Sequence, residues 1–110
     1  MIKRKQRLPP ILYLDCFKKG RVKENDYFRI FYKKNDLTYC RFGVVVSNKI
    51  FKKAVKRNKL KRQIKAMLKD FEKRKKVNYD LLVVVKKAPL IKFKEIKIVF
   101  DKLLESLNNF

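Results

Sequence analysis

A chain of 110 residues that is 46% hydrophobic is long enough to bury one core and falls in the size range of a single domain, residues 1–110. Its 32 Lys and Arg against 10 Asp and Glu give a formal net charge of +22, which works against a compact monomer by self-repulsion and points to a polyanionic partner, nucleic acid before any other. The absence of histidine and of any Cys-x-x-Cys pair excludes imidazole acid–base chemistry, Cys/His nucleophiles and the common zinc sites, and no run approaches the ~20 apolar residues of a membrane span.

Residues 1–7 read as a short basic arm, flexible or ordered on the partner. The arm runs into Pro9-Pro10 with no small-residue cleavage site, so a cytoplasmic location is expected, with Cys16 and Cys40 as reduced, buried thiols. Proline suits the first turn of a helix and Gly20 its exit, which predicts about two helical turns over residues 11–19. Ile11, Leu14 and Lys18 share one side of that helix and Tyr13 and Phe17 another, so it should contact two surfaces, a core and a ligand. Residues 27–34 alternate, with Phe28, Ile30 and Tyr32 facing one way and Arg29, Phe31 and Lys33 the other. Asn35-Asp36 signals a turn, after which residues 39–47 return as a strand burying Cys40, Phe42, Val44 and Val46. These two strands are expected to pair as an antiparallel hairpin, one side on helices and the other partly open. Beyond a connector at 47–53, a long helix over 54–75 carries Leu60, Ile64, Met67, Leu68 and Phe71 at the three- and four-residue spacing of a core stripe. Asn58, Arg62, Lys65 and Lys69 fall on its opposite side, and Arg57 lies at the stripe's edge, placed to reach sideways. Residues 79–86 are a nearly continuous apolar strand, as at the centre of a sheet, broken by Ala88-Pro89. Residues 93–108 form a last helix with Ile96, Val99, Phe100, Leu103, Leu104 and Leu107 inward. The fold class is α+β, in the order α-β-β-α-β-α.

Residues 49–76 hold close to half of the basic residues, opposed only by Asp70 and Glu72. Lys52, Lys53, Lys56 and Arg57 crowd the N-terminus of the long helix, where the helix dipole disfavours each cation by a few tenths of a kcal/mol. A local rule broken without compensation marks a functional site, and a helix N-terminus ringed with cations suits phosphate. This argument does not choose between RNA and DNA. On the open side of the hairpin Arg29, Phe31 and Lys33 interleave cation and ring, with Tyr13 and Phe17 within reach. Such a set holds unpaired bases by stacking, at about 1–3 kcal/mol per base. The spacing fits ordinary core residues equally well. The acids are scattered and Gly20 and Gly43 are the only glycines, so there is neither a paired-carboxylate dyad nor a Gly-rich phosphate loop, and no catalytic or metal-ligating residue is assigned.

Residues 54–65, Ala-Val-Lys-Arg-Asn-Lys-Leu-Lys-Arg-Gln-Ile-Lys, resemble the signature of the bacterial ribonuclease P protein family, an Arg-Asn-Arg element followed by further cations on a long helix. Arg7-Leu8 and the run from Cys16 to Gly20 resemble that family's N-terminal helix. The run from Arg41 to Ser47 with Lys49 resembles the strand leading into the signature, and the run from Asp80 to Val85 its last strand. The resemblance implies a single-domain α/β sandwich like the second domain of ribosomal protein S5, with the long helix as a crossover. It implies a subunit that partners a catalytic RNA in Mg²⁺-dependent endonucleolytic removal of the 5′ leader from precursor tRNA. The RNA would hold the catalytic groups and most of the Mg²⁺, and no protein partner is required. Contacts to the catalytic RNA would come from Lys49, Lys53, Lys56, Arg57, Asn58, Lys59, Lys61, Arg62, Lys65 and Lys69, and the leader would lie in a cleft of Tyr13, Phe17, Arg29, Phe31 and Lys33. The chain departs from the pattern in carrying Lys59 where the signature has Arg, which keeps charge but loses a bidentate fork. Tyr13 stands where Phe is commoner and Phe31 where Tyr is. The connector at 50–53 reads one residue longer and the stretch 7–17 one shorter. A ribosomal or general RNA-binding protein is the alternative reading; the β-rich flanks disfavour a helix-turn-helix DNA binder.

Overall fold

Strands that are apolar on both faces need cover on both, and the computed structural model, which describes residues 4–75, 78–87 and 92–107, provides it with helices on either side of one sheet. A 3-10 turn at Arg4–Gln6 and another at Pro10–Leu12 lead into α1 (Tyr13–Lys19). Strands β1 (Arg21–Glu24), β2 (Phe28–Lys34) and β3 (Arg41–Val45) follow, then the long helix α2 (Ala54–Lys75), β4 (Tyr79–Val85) and α3 (Phe93–Glu105). The sheet order is β1-β2-β4-β3; β1/β2 and β2/β4 are antiparallel and β3/β4 parallel. The parallel pair makes α2 the crossover connection between β3 and β4.

Helix α2 begins and ends where its periodicity predicts, in a segment of strong helix formers without Gly or Pro, and its buried residues are Leu60, Ile64, Met67, Leu68 and Phe71. They pack with α3 on the sheet face formed by Phe28, Ile30 and Tyr32 of β2 and alternate residues of β3 and β4; Phe28 meets Phe100 edge-on at 5.0 Å between ring centroids. Val99, expected inward, is only partly covered, while Leu107 is buried just past the helix end. The break at Ala88-Pro89 and the end of the last helix at Asn108 lie outside the described residues. The other sheet face centres on Leu82, covered by Leu8 and Cys16 with Tyr13, Phe31, Val45 and Val84 around them. Cys16 and Cys40 are buried thiols outside any disulfide, and burial pushes the Cys40 thiol up to about 12. Among the described residues no helix is long and apolar enough to cross a membrane.

Three expectations are corrected: the pairing of the first two strands, the order α-β-β-α-β-α, which lacks the strand at Arg21–Glu24, and the basic arm. The strands at 27–34 and 39–47 do not pair with each other: β4 lies between them. Period-2 alternation identifies a strand but not its neighbour, and the Asn35 turn is a wide step rather than a tight hairpin. Asn35 Oδ1 accepts the Leu37 N–H, while its Nδ2 donates to Tyr39 O and to Asp80 Oδ1, which carries the chain past the end of β4. The strand that does form a hairpin with β2 is β1, whose four residues are all exposed and so carry no burial pattern. Its turn is closed by Asn25 Oδ1, which accepts the N–H groups of Tyr27 and Phe28.

The third correction concerns the basic arm. Residues 1–3 lie outside the described residues, but from Arg4 the segment is packed. The Gln6 side chain is 2% exposed, Leu8 N–H donates to Phe42 O at 2.8 Å, and Arg7 pairs with Phe42 alongside β3. Gln6 Nε2 donates to both oxygens of Glu72 at 2.9 Å and to Cys40 O at 3.3 Å, while Lys69 Nζ donates to Gln6 Oε1 at 2.7 Å. Gly20 does end α1, but with φ −78° rather than a left-handed cap; glycine is required because a Cβ there would stand 2.5 Å from Cys16 O.

Candidate nucleic-acid interface

The cation row of α2 splits into two parts. Its first turn holds no acid, and Lys53, Lys56, Asn58, Lys59 and Arg62 are exposed, as is Lys49 in the turn before the helix. Among the described residues none of Lys56, Lys59, Lys61, Arg62 and Lys65 has an ion-pair partner. Arg57 does reach sideways: its Nη1 donates to Phe51 O at 2.6 Å and Lys52 O at 2.8 Å, tying the connector to the helix. Lys69, lower on the row, is turned onto the N-terminal segment, where it bonds Gln6 and Glu72. Between these two parts the Lys65 ammonium lies below its ordinary lysine value because burial disfavours its charge, with Arg7 and Lys61 adding like-charge repulsion. The docked segment thus adds Arg7 to the α2 surface, a residue that the arm reading left without a place. Burial alone pushes the Glu72 carboxyl up, but the bonds it accepts from Cys40 N–H, Gln6 and Lys69 hold it below the usual carboxylate range.

On the opposite sheet face the five cleft residues come together. Phe17, 43% exposed, stands edge-on to Phe31 at 4.7 Å and 89°. Tyr13 is half-buried against β3. A Cβ on Gly43 would lie 2.9 Å from Tyr13 Cε1 and 3.0 Å from its hydroxyl, so glycine at 43 lets that ring approach the strand. Burial pushes the Tyr13 hydroxyl up. Pairing register puts Val22, Phe31, Leu82 and Gly43 in one row across this face and Glu24, Arg29, Val84 and Val45 in the next. Arg29 and Lys33, two residues to either side of Phe31, share its face of β2. Neither is bare. Arg29 Nε donates to Glu24 Oε2 at 2.8 Å, and Lys33 Nζ to Asp15 Oδ2 at 2.6 Å. Asp15 on α1, Glu24 on β1 and their second cations, Lys19 and Lys86, belong to this surface too; Asp15–Lys19 is an i,i+4 pair within α1, while the pairs Asp15–Lys33, Glu24–Arg29 and Glu24–Lys86 join different elements, which spacing did not reveal.

Below the cleft, Asp80 accepts from Arg41 Nε at 2.8 Å and Nη2 at 2.7 Å. Among the described residues no group of three or more Cys, Asp and Glu is placed to hold a metal ion.

The arrangement offers two unlike surfaces: cations along α2 for phosphates, and rings flanked by cations for unstacked bases. The family model for ribonuclease P matches residues 2–108. The ribonuclease P protein component of Thermotoga petrophila is 39% identical over 100 residues, covering 86% of this chain and 82% of that protein. That of Mesoplasma florum is 36% identical over 75 residues, covering 67% of each. Among solved structures, the RNase P protein of Thermotoga maritima superposes with a TM-score of 0.71 at 29% identity, covering 90% of this chain and 96% of that one. A mutant of the Staphylococcus aureus RNase P protein gives 0.81 at 25% identity, covering 97% and 92%. With the family match spanning nearly every residue and the same sheet and helices in solved members, the chain belongs to the family of ribonuclease P protein components.

Proposed function

We propose that α2 and the docked N-terminal segment hold the ribonuclease P RNA, and that the cleft between α1 and the sheet holds the single-stranded 5′ leader of precursor tRNA. The partnership with the RNA and a role in tRNA processing come with the family; the division of labour between the two faces is our reading. The observation that carries it is the Phe17–Phe31 pair, two rings in edge-on contact on a face separate from the unpaired cations of α2, with Phe17 open to solvent. In this reading catalysis belongs to the RNA and to Mg²⁺ bound mainly by the RNA. The chain supplies position: holding the leader at a fixed distance from the RNA turns an encounter into an intramolecular step. Neutralising phosphates near the RNA lowers the Mg²⁺ concentration at which the RNA fold is stable. The cytoplasm, where precursor tRNA is processed in bacteria, is the location that goes with this role, and no protein partner is needed.

The direct test adds the purified chain to a bacterial ribonuclease P RNA and a leader-bearing precursor tRNA at low Mg²⁺. Accurate cleavage should be stimulated; no stimulation with any such RNA would remove the proposal. A second expectation separates the two faces. Phe17→Ala should weaken binding of leader-bearing substrate by about 5- to 100-fold, the range for losing one stacked base, and leave binding of leaderless tRNA unchanged. Equal effects on the two substrates would return Phe17 to a packing role.

A further inference from the structure

The cations of the two faces are treated differently. From Lys56 to Lys65 the cations of α2 have no carboxylate beside them among the described residues, whereas Lys69, Arg74 and Lys75, nearer its end, are paired with Glu72, Asp70 and Glu105. In the cleft every predicted cation has one, although the chain holds 10 acids against 32 bases and so has few to place. Each of these carboxylates also holds a second cation. Glu24 Oε2 lies 2.8 Å from Arg29 Nε and 3.1 Å from Lys86 Nζ. Asp15 lies 2.6 Å from Lys33 Nζ and 3.3 Å from Lys19 Nζ. Both carboxyls are held below their ordinary range by these bonds, so both are charged at neutral pH. Each trio carries one net positive charge, and the two trios bracket the Phe17–Phe31 pair, since Arg29 and Lys33 stand four residues apart on β2, about 13 Å along the strand.

We propose that Asp15 and Glu24 are built-in competitors for the leader's phosphates: they hold four cations in place at the two ends of the cleft and yield them to phosphate oxygens when the leader enters. The inference rests on the reading of the cleft as the leader site. A lysine or arginine on a long stem loses rotamer freedom when a phosphate fixes it, and a carboxylate that has already fixed it removes that cost. The exchange then trades one exposed ion pair for another, and such pairs are worth little. Phosphates therefore add little net affinity in the cleft, and stacking on Phe17 and Phe31 decides what binds. The contrast with α2 matches the two tasks. The RNA subunit is a lasting partner and meets uncompensated cations, whereas the leader must depart after each cleavage and meets compensated ones.

The test uses the reconstituted ribonucleoprotein and a substrate made uncleavable at the scissile linkage, compared with leaderless tRNA. Glu24→Gln and Asp15→Asn should each tighten the leader-bearing substrate about two- to fivefold and leave leaderless tRNA unchanged. A leader with abasic nucleotides, which keeps the phosphates and lacks the stacking bases, should tighten by a similar factor. Glu24 sits on the exposed edge strand β1, so its variant tests the idea even if α1 shifts without Asp15. Leader affinity unchanged or weakened in both variants, with the wild type still favouring leader-bearing substrate, would overturn this inference alone. A wild type indifferent to the leader would overturn the leader reading and this inference with it.

Discussion

Asp80→Ala should lower the unfolding free energy by about 2–4 kcal/mol, read as a fall in urea midpoint at constant slope. Asp80 is 5% exposed on β4, opposite Arg41 of β3 and Lys33 of β2 in the pairing register. It accepts both arms of the Arg41 fork and a third bond from Asn35, so one carboxylate ties β3, β4 and the step between β2 and β3 together. Alanine leaves the Arg41 side chain, only 22% exposed, and the Asn35 amide without that partner. Removing one member of a fully buried pair costs about 3–5 kcal/mol; Arg41 keeps some access to water, which places the expectation somewhat lower. The β3/β4 pairing also sets Gly43 under Tyr13, so with the leader in the proposed site the destabilised variant should lose leader preference well before it loses the fold. A loss under about 1 kcal/mol would show that Arg41 simply turns to water and that apolar contacts alone align β3.

What could be read in advance follows from how far each signal reaches. The bounds and core of α2 are local periodicity in a segment free of breakers, and the interior place of β4 follows from side chains that are apolar on both faces. The cleft rings were visible as candidates because Phe31 alternates with Arg29 and Lys33. Whether they stood in a core or at a surface was beyond spacing, since that depends on α1 lying across the sheet. The missing information is long-range and polar. Gln6 meets Glu72 across 66 residues and Lys33 meets Asp15 across 18, and neither pairing has a periodic or compositional trace. Strand β1 exists only because β2 offers it an edge. The position of Gly20 was legible while its cause was not: the crowding comes from Cys16 O and Tyr32 O, a close approach that follows from the packing of α1 beside β2.

The largest functional effect should come from removing three cations at once, Lys61→Ala, Arg62→Ala and Lys65→Ala. If each makes one charge-assisted phosphate contact, with something near tenfold per contact, affinity for the ribonuclease P RNA should fall by about 10²- to 10³-fold near physiological salt. The slope of log affinity against log salt should become shallower by about two to three. The stability of the free chain decides whether such a loss means contact or unfolding, and the structure predicts its sign. Arg62 is exposed, and alanine is at least as good a helix former. The Lys65 ammonium has its charge disfavoured by burial and by Arg7 and Lys61. A lysine whose folded value lies below its unfolded one takes up its proton more readily unfolded, so at neutral pH its charge works against folding and is relieved only as pH rises past the folded value. Removing these charges should therefore leave the RNA-free chain at least as resistant to urea as the wild type while RNA binding collapses. That combination is the mark of residues kept for a partner rather than for the fold. An unchanged salt slope would show that the row faces solvent in the ribonucleoprotein and would move the RNA contact elsewhere on the chain.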